Sequence, residues 1–147
     1  MLTVQKATLS DAAAVASLAL RLWPEHTQQD LLEEFSGMLT DEYTAIFLAV
    51  SDGTPIGFAQ CQLRRDYVEG TDSSPVGYLE GIYVADSHRR QGIARALLAA
   101  CEGWSKEMGC VEFASDCELT NQDSLRFHLR MGFAEANRII CFTKKLK

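Results

Sequence analysis

Apolar positions recur along this chain with two periods, and each switch between them marks an element. Leu2 to Ala7 reads as a short strand. Ser10 is a suitable N-cap, and Ala12, Val15, Leu18 and Leu22 follow at helical spacing until Pro24 ends the run. Thr27 with Asp30 opens a second helix, whose apolar stripe is Leu31, Leu32, Phe35, Met38 and Leu39. Thr44 to Ser51 reads as a strand, Asp52-Gly53 as a hairpin turn and Pro55 to Leu63 as its partner. Arg64 to Pro75 is polar and loop-like. A strand over Gly77 to Val84 precedes a long helix with Ile93, Leu97, Cys101, Trp104 and Met108 on one face, stopped at Gly109. Val111 to Asp116 reads as a strand, Asn121 to Met131 as a helix capped by Gly132, and Ile139 to Lys145 as a last strand.

This order, β-α-α-β-β-β-α-β-α-β, predicts one α/β domain over residues 1–147, with helices on both faces of a mixed central sheet. No repeat, low-complexity tract or linker interrupts it. In such sheets ligands bind at the carboxyl ends of strands, and the segment after Val84 lies there.

Composition narrows the chemistry. The chain has 147 residues, 47 % of them hydrophobic, which suits one domain with a real core. A formal net charge of −6 argues against general nucleic-acid binding and fits a basic partner better. Met1 to Lys6 lacks the layout of a secretory leader and no apolar run is long enough to span a membrane, so a cytoplasmic protein without a membrane partner is expected. Cys61, Cys101, Cys110, Cys117 and Cys141 are scattered, without ligand spacing. They read as small buried thiols, with no metal site and no covalent cysteine intermediate.

The strand-to-helix turn Val84-Ala85-Asp86-Ser87-His88-Arg89-Arg90-Gln91-Gly92-Ile93-Ala94-Arg95 is the most informative stretch. Helix-start amides and the helix dipole favour an anion, Gly92 and Ala94 let it approach, and Arg89, Arg90 and Arg95 add positive charge. The alternative is a solvated basic loop. The stretch is neither a Walker loop nor a dinucleotide fingerprint. Arg89-x-x-Gly92-x-Ala94 resembles the Arg/Gln-x-x-Gly-x-Gly/Ala signature of the GNAT superfamily of acyl-coenzyme A N-acyltransferases. Asn121-x-x-Ser124-x-x-Phe127-His128-x-x-x-Gly132-Phe133 resembles a second segment of that family, the helix beside the coenzyme A arm. The resemblance implies the GNAT fold and acetyl-coenzyme A as cosubstrate. Cofactor contacts would then fall on Ile82, Tyr83, Val84, Arg89, Arg90, Gln91, Gly92, Ile93, Ala94, Arg95, Asn121, Ser124 and His128. The family has Tyr where this chain has His128, and that Tyr is assigned to protonating the departing thiolate. His128 either takes that role, as imidazole chemistry allows, or only packs beside the cofactor.

A tighter resemblance covers Arg64 to Val84, Leu22-Trp23-Pro24-Glu25-His26 and Phe113-Ala114-Ser115-Asp116, and it points to the short, chromosomal-type aminoglycoside 6′-N-acetyltransferases. It implies an aminoglycoside pocket lined by Trp23, His26, Tyr67, Glu80 and Asp116, and a homodimer with C-terminal segments in its interface. Related enzymes carry an acidic residue where this chain has Asn137. The residues themselves agree with a polycationic sugar: Asp66, Glu69, Asp72 and Glu80 cluster around Tyr67, and Asp116 ends the adjacent strand. Asp66 and Glu69 read as solvated charge, and Asp72 as a substrate contact or loop charge. Asp116 is a ligand for charge or a turn cap, and Trp23 a core residue or a platform. Glu80 stands inside an apolar strand, where an unpaired carboxylate is costly. Glu80, Asp116 and His128 are the catalytic candidates, for direct attack of the amine on the thioester in a ternary complex, with the choice of base and acid open. Acetylation of polyamines or another metabolite amine, protein N-acetylation, and a non-catalytic acetyl-coenzyme A sensor are the competing functions.

Overall fold

The computed structural model describes residues 1–147. Its strands are β1 (Leu2–Lys6), β2 (Thr44–Ser51), β3 (Thr54–Arg64), β4 (Val76–Val84) and β5 (Phe113–Ala114). Its helices are α1 (Ala12–Leu22), α2 (Gln28–Leu39), α3 (Ile93–Glu107) and α4 (Gln122–Arg130). The sheet order is β1-β2-β3-β4-β5, antiparallel up to β4 and parallel between β4 and β5.

The two faces of the sheet carry separate cores. On β2, Ala45 and Ala49 join the core under α3, while Ile46 and Leu48 join the core under α1 and α2. Both faces are covered, so β2 reads as a nearly continuous apolar run. The α3 core takes Leu97, Cys101 and Trp104 from the helix. The α1–α2 core is centred on Phe58, which is 0 % exposed and meets Trp23 and Phe35 at ring-centroid distances of 6.2 and 6.1 Å. Asp52 and Gly53 both have positive φ, as the tight β2–β3 hairpin requires. Thr27 caps α2 by accepting from the Asp30 amide at 3.1 Å.

Four expectations are corrected. The N-cap position of α1 is Asp11, whose side chain accepts from the Thr8 amide at 2.8 Å; it closes a 3-10 turn, Leu9–Asp11, capped by Thr8, so Ser10 lies inside the turn. The strand expected over Val111 to Asp116 shrinks to Phe113–Ala114, because β4 offers it only two partners. The last strand, Ile139 to Lys145, does not form. Its apolar pattern is real, but no strand edge of this chain meets it, and Ile139, Ile140 and Phe142 stand in water at 66 %, 79 % and 87 % exposure. The thiols divide: Cys61, Cys101 and Cys110 are buried, whereas Cys117 and Cys141 lie in exposed irregular segments beyond the sheet.

Phe58→Ala removes the ring that meets both Trp23 and Phe35 and is expected to destabilise the protein by about 3–5 kcal/mol in urea unfolding. Thr27→Ala, which loses only a cap, is expected to cost about 1 kcal/mol in the same measurement.

Candidate active site

The site begins where β4 loses its neighbour. β5 pairs with β4 only at Gly77–Phe113 and Tyr78–Ala114, so the outer edge of β4 is free of strand partners from Leu79 onward. Amides alternate sides along a strand. The Ala85 amide donates back to Ile56 beside β3 at 2.8 Å, so the amides of Ile82 and Val84 point to the open edge.

A bulge sits in the same stretch. Gln60 of β3 pairs with Gly81, and Cys61 pairs with Leu79, so Glu80 is an extra residue. As a result Glu80 and Gly81 follow one another on the α1–α2 face, while Leu79 and Ile82 face the α3 core. At Gly81 a Cβ would stand 2.6 Å from the Trp23 ring, so only glycine lets that indole lie against the strand.

Two cavities meet at the bulge. One, of about 250 Å³, lies between the free part of β4 and the β5–α4 wall, lined by Leu79 to Ile82, Ser115 to Glu118, Asn121, Ser124 and His128 among others. The second, of about 220 Å³, opens toward α2 and is lined by His26, Leu31, Glu34, Phe35 and Gln60. Trp23 and Glu80 line both. Trp23 is therefore a core residue and a wall at once: it stacks on Phe35 and still faces the cavities.

The charged groups are held by partners. Glu80 accepts three hydrogen bonds from Arg64, at 2.8, 3.0 and 3.2 Å. The guanidinium lies 3.5 Å over the Tyr78 ring, and the Tyr78 hydroxyl donates to Oδ2 of Asp116. Burial, then the hydrogen bond to Asp116, holds the Tyr78 phenol well above its ordinary pKa, so it remains a donor at neutral pH. Oδ1 of Asp116 has no protein partner.

His128 is oriented through both ring nitrogens. Nδ1 lies 2.7 Å from the Ser124 carbonyl, which can only accept, so Nδ1 carries a proton. Nε2 lies 2.8 Å from Ser115 Oγ. In neutral His128 the Ser115 hydroxyl donates to Nε2. In the imidazolium, Nε2–H donates to Ser115, whose hydroxyl can turn to the Leu79 carbonyl at 3.4 Å. Both charge states thus find partners.

The turn after β4 has the geometry of an anion cradle. Arg90 and Gly92 have φ of +64° and +77°. None of the amides from Arg90 to Arg95 donates to a protein acceptor, and the first bond into the helix is Ala96 N–H to Gly92 C=O at 3.1 Å. Gln91 and Arg95 are exposed and Ala94 is half-buried, but the Ile93 side chain is core, which leaves only its amide available. Arg89 is a brace rather than a free cation: it donates to the Val84 carbonyl at 2.9 Å and pairs with Asp86 at 2.8 Å. The Tyr83 side chain packs into the α1–α2 core and Val84 is buried in the other.

The structure therefore gathers Trp23, His26, Glu80, Ile82, Asp116, Asn121, Ser124 and His128 along the joined cavities. Asn121 also caps α4, accepting from the Ser124 amide at 3.0 Å. Tyr67 and Asp72 line neither cavity. Tyr67 is 76 % exposed and bonded to Glu69, and the Asp72 amide donates to Glu112, because that loop is strapped to the start of β5. Asn137 reaches the same loop, donating to Glu69. Arg64, Tyr78 and Ser115 were not singled out for this site by sequence. Ser115 had a legible signal, its place beside Asp116 at a strand end; the Arg64–Glu80 pair depends on strand register and had none.

Residues 12–133 match the family model described as acetyltransferase (GNAT) family. Aminoglycoside N(6′)-acetyltransferase type 1 of Stenotrophomonas maltophilia is 45 % identical over 146 residues, covering 99 % of this chain and 94 % of that protein. The protein of the same name from Serratia marcescens is 45 % identical over 134 residues, covering 89 % and 92 %. Among solved structures, AAC(6′)-Iy in complex with the bisubstrate analogue CoA-S-monomethyl-acetylneamine matches with a TM-score of 0.95 and 37 % identity over 99 % of each chain. AAC(6′)-Ih from Acinetobacter baumannii matches with a TM-score of 0.94 and 35 % identity over 100 % of each. A β4 edge left open by a two-residue β5, a cradle of free amides at its end and near-full-length relatives agree: this chain belongs to the acetyltransferase (GNAT) family.

Proposed function

We propose that the protein transfers the acetyl group of acetyl-coenzyme A to the 6′-amine of aminoglycosides, and so confers resistance to them. The observation that carries this reading is two carboxylates, Glu80 and Asp116, on one cavity beside the open β4 edge. A polycationic sugar needs such charge, and Trp23 supplies an apolar face for its rings. The near-full-length relatives bear the name of this activity.

In the mechanism, the amides from Arg90 to Arg95 hold the pyrophosphate, with Arg90 and Arg95 adding charge. Acetyl-coenzyme A lies along Ile82, Tyr83 and Val84, and the Asn121, Ser124 and His128 side flanks its arm. The amide of Ile82 or Val84 polarises the thioester carbonyl as negative charge develops on its oxygen. Glu80 and Asp116 hold ammonium groups of the substrate and orient water that takes the proton from the attacking amine. The amine forms the new C–N bond, the C–S bond breaks, and His128 with Ser115 delivers a proton to the departing sulfur. No metal enters the scheme, and no cluster of three or more His, Cys, Asp or Glu is arranged to hold one.

The whole chain acts as one domain, in the cytoplasm, without nucleic-acid or membrane partners. No helix is long and apolar enough to cross a membrane. We also propose a homodimer. The exposed apolar run from Ile139 to Phe142 has a strand pattern and lacks a strand partner within its own chain.

Thiol release from acetyl-coenzyme A tests the reaction. Neomycin, with a 6′-amine, is expected to turn over, and paromomycin, with a 6′-hydroxyl, to show little or no reaction; equal rates would place the acetylated amine elsewhere. Asp116→Asn and Glu80→Gln are each expected to raise the aminoglycoside KM and lower kcat/KM by about 10- to 100-fold, the range for one charge-assisted hydrogen bond. Unchanged kinetics in both would remove the pair from the mechanism. Light scattering is expected to give twice the 16.3 kDa chain mass, falling to one chain in the double variant Ile140→Asp, Phe142→Asp.

A further inference from the structure

Glu80 already has a cation. Arg64, the last residue of β3, reaches past Tyr78 and places its guanidinium on both oxygens of the carboxylate. The Tyr78 ring stacked beneath it fixes the plane of the fork. Side-chain exposure is 38 % for Arg64 and 21 % for Glu80, so the pair is outside the core, and Glu80 lines both cavities with Arg64 behind it. No lysine or arginine lines either cavity, and the lining acids are Glu34, Glu80, Asp116 and Glu118. Among these only Glu80 is in an ion pair. One aromatic ring thus serves both catalytic carboxylates: its face carries the cation bound to Glu80, and its hydroxyl donates to Asp116.

We propose that Arg64 is a resident counter-cation of the amine site, which the substrate's ammonium must displace or share Glu80 with, and that it sets the affinity and reactivity of the bound amine. This rests on the reading of the cavity as an amine site. Two consequences follow from opposite sides of one charge. The guanidinium competes for Glu80, so it weakens cation binding. It also offsets the negative potential that would hold a bound amine protonated, so it favours the neutral nucleophile. Arginine suits the post because it stays charged throughout the working pH range and its fork matches a carboxylate. A residue that only held Glu80 in place would act differently: its loss would weaken binding.

The test compares the wild type with Arg64→Gln, which removes the charge and the fork but keeps a polar amide, and Arg64→Lys, which keeps the charge without the fork. Calorimetric titration with neomycin reads competition without turnover; thiol release at neutral pH reads reactivity. For Arg64→Gln, neomycin is expected to bind about three- to tenfold more tightly, with a steeper salt dependence, while kcat falls. Arg64→Lys is expected to lie between that variant and the wild type in both. Equal or weaker binding by Arg64→Gln, with an unchanged melting temperature, overturns the proposal. If that variant melts early, Arg64→Lys decides: weaker binding than wild type overturns the proposal and tighter binding supports it. Tighter binding with unchanged kcat keeps the competition and removes the effect on reactivity. Wild-type binding without thiol release defeats the acetyl-transfer reading, while the calorimetric comparison still judges Arg64. A wild type that does not bind neomycin defeats both.

Discussion

Buried backbone groups inside a sheet normally find strand partners, and here β4 lacks them along one edge. Its pairing with β5 stops after Tyr78, and the site follows from that short contact. The parting opens the larger cavity, leaves the amides of Ile82 and Val84 pointing to the open strand edge, and brings α4 close enough for His128 to face β4 across Ser115. At the far end the chain turns through left-handed Arg90 and Gly92 into α3, where a further run of amides is unpaired. A ligand with an extended polar arm and a phosphate group meets both needs at once. The two cores on either face of the sheet make the parting tolerable, because neither depends on β5 for its centre.

The second theme is charge held in reserve. The chain carries a formal charge of −6, yet the carboxylates at the cavity junction are not bare. Glu80 is paired and Asp116 accepts from a phenol kept protonated by its surroundings. This limits a difficulty inherent in acidic sites for amines, where the charge that attracts a polycation also suppresses its nucleophile. The bulge matters here: without the extra residue at Glu80, the carboxylate and Gly81 would fall on opposite faces and Trp23 would not share a wall with the carboxylate.

Much of the fold was legible because local chemistry agreed with the global arrangement. Thr44–Ser51 and its hairpin, the Thr27 cap and the α3 stripe came from periodicity and turn residues alone. The site was legible mainly through short motifs, the Arg89-to-Ala94 turn and the Asn121-to-Phe133 segment. What escaped is set by long-range geometry. Arg64 and Glu80 lie 16 positions apart and meet only through strand register, a bulge and an intervening ring. Tyr67 and Asp72 cluster with acids in sequence, but Glu112 draws their loop toward β5 and away from the cavities. Arg89 reads as a phosphate ligand by composition, although its guanidinium is occupied by the strand it follows.

The unformed last strand and the histidine in place of tyrosine bear on the same point, that a side-chain pattern states a need and not its solution. Ile139, Ile140 and Phe142 need a partner surface, and a single copy of the chain does not provide one. His128 needs partners for two nitrogens where a tyrosine needs a partner for one hydroxyl. The Ser124 carbonyl fixes the tautomer, and Ser115 serves as acceptor or donor according to charge. That makes His128 and Ser115 a two-state pair with hydrogen bonds in either state. A group of this kind can give up a proton to a departing thiolate and regain one from water without leaving a buried polar atom unsatisfied.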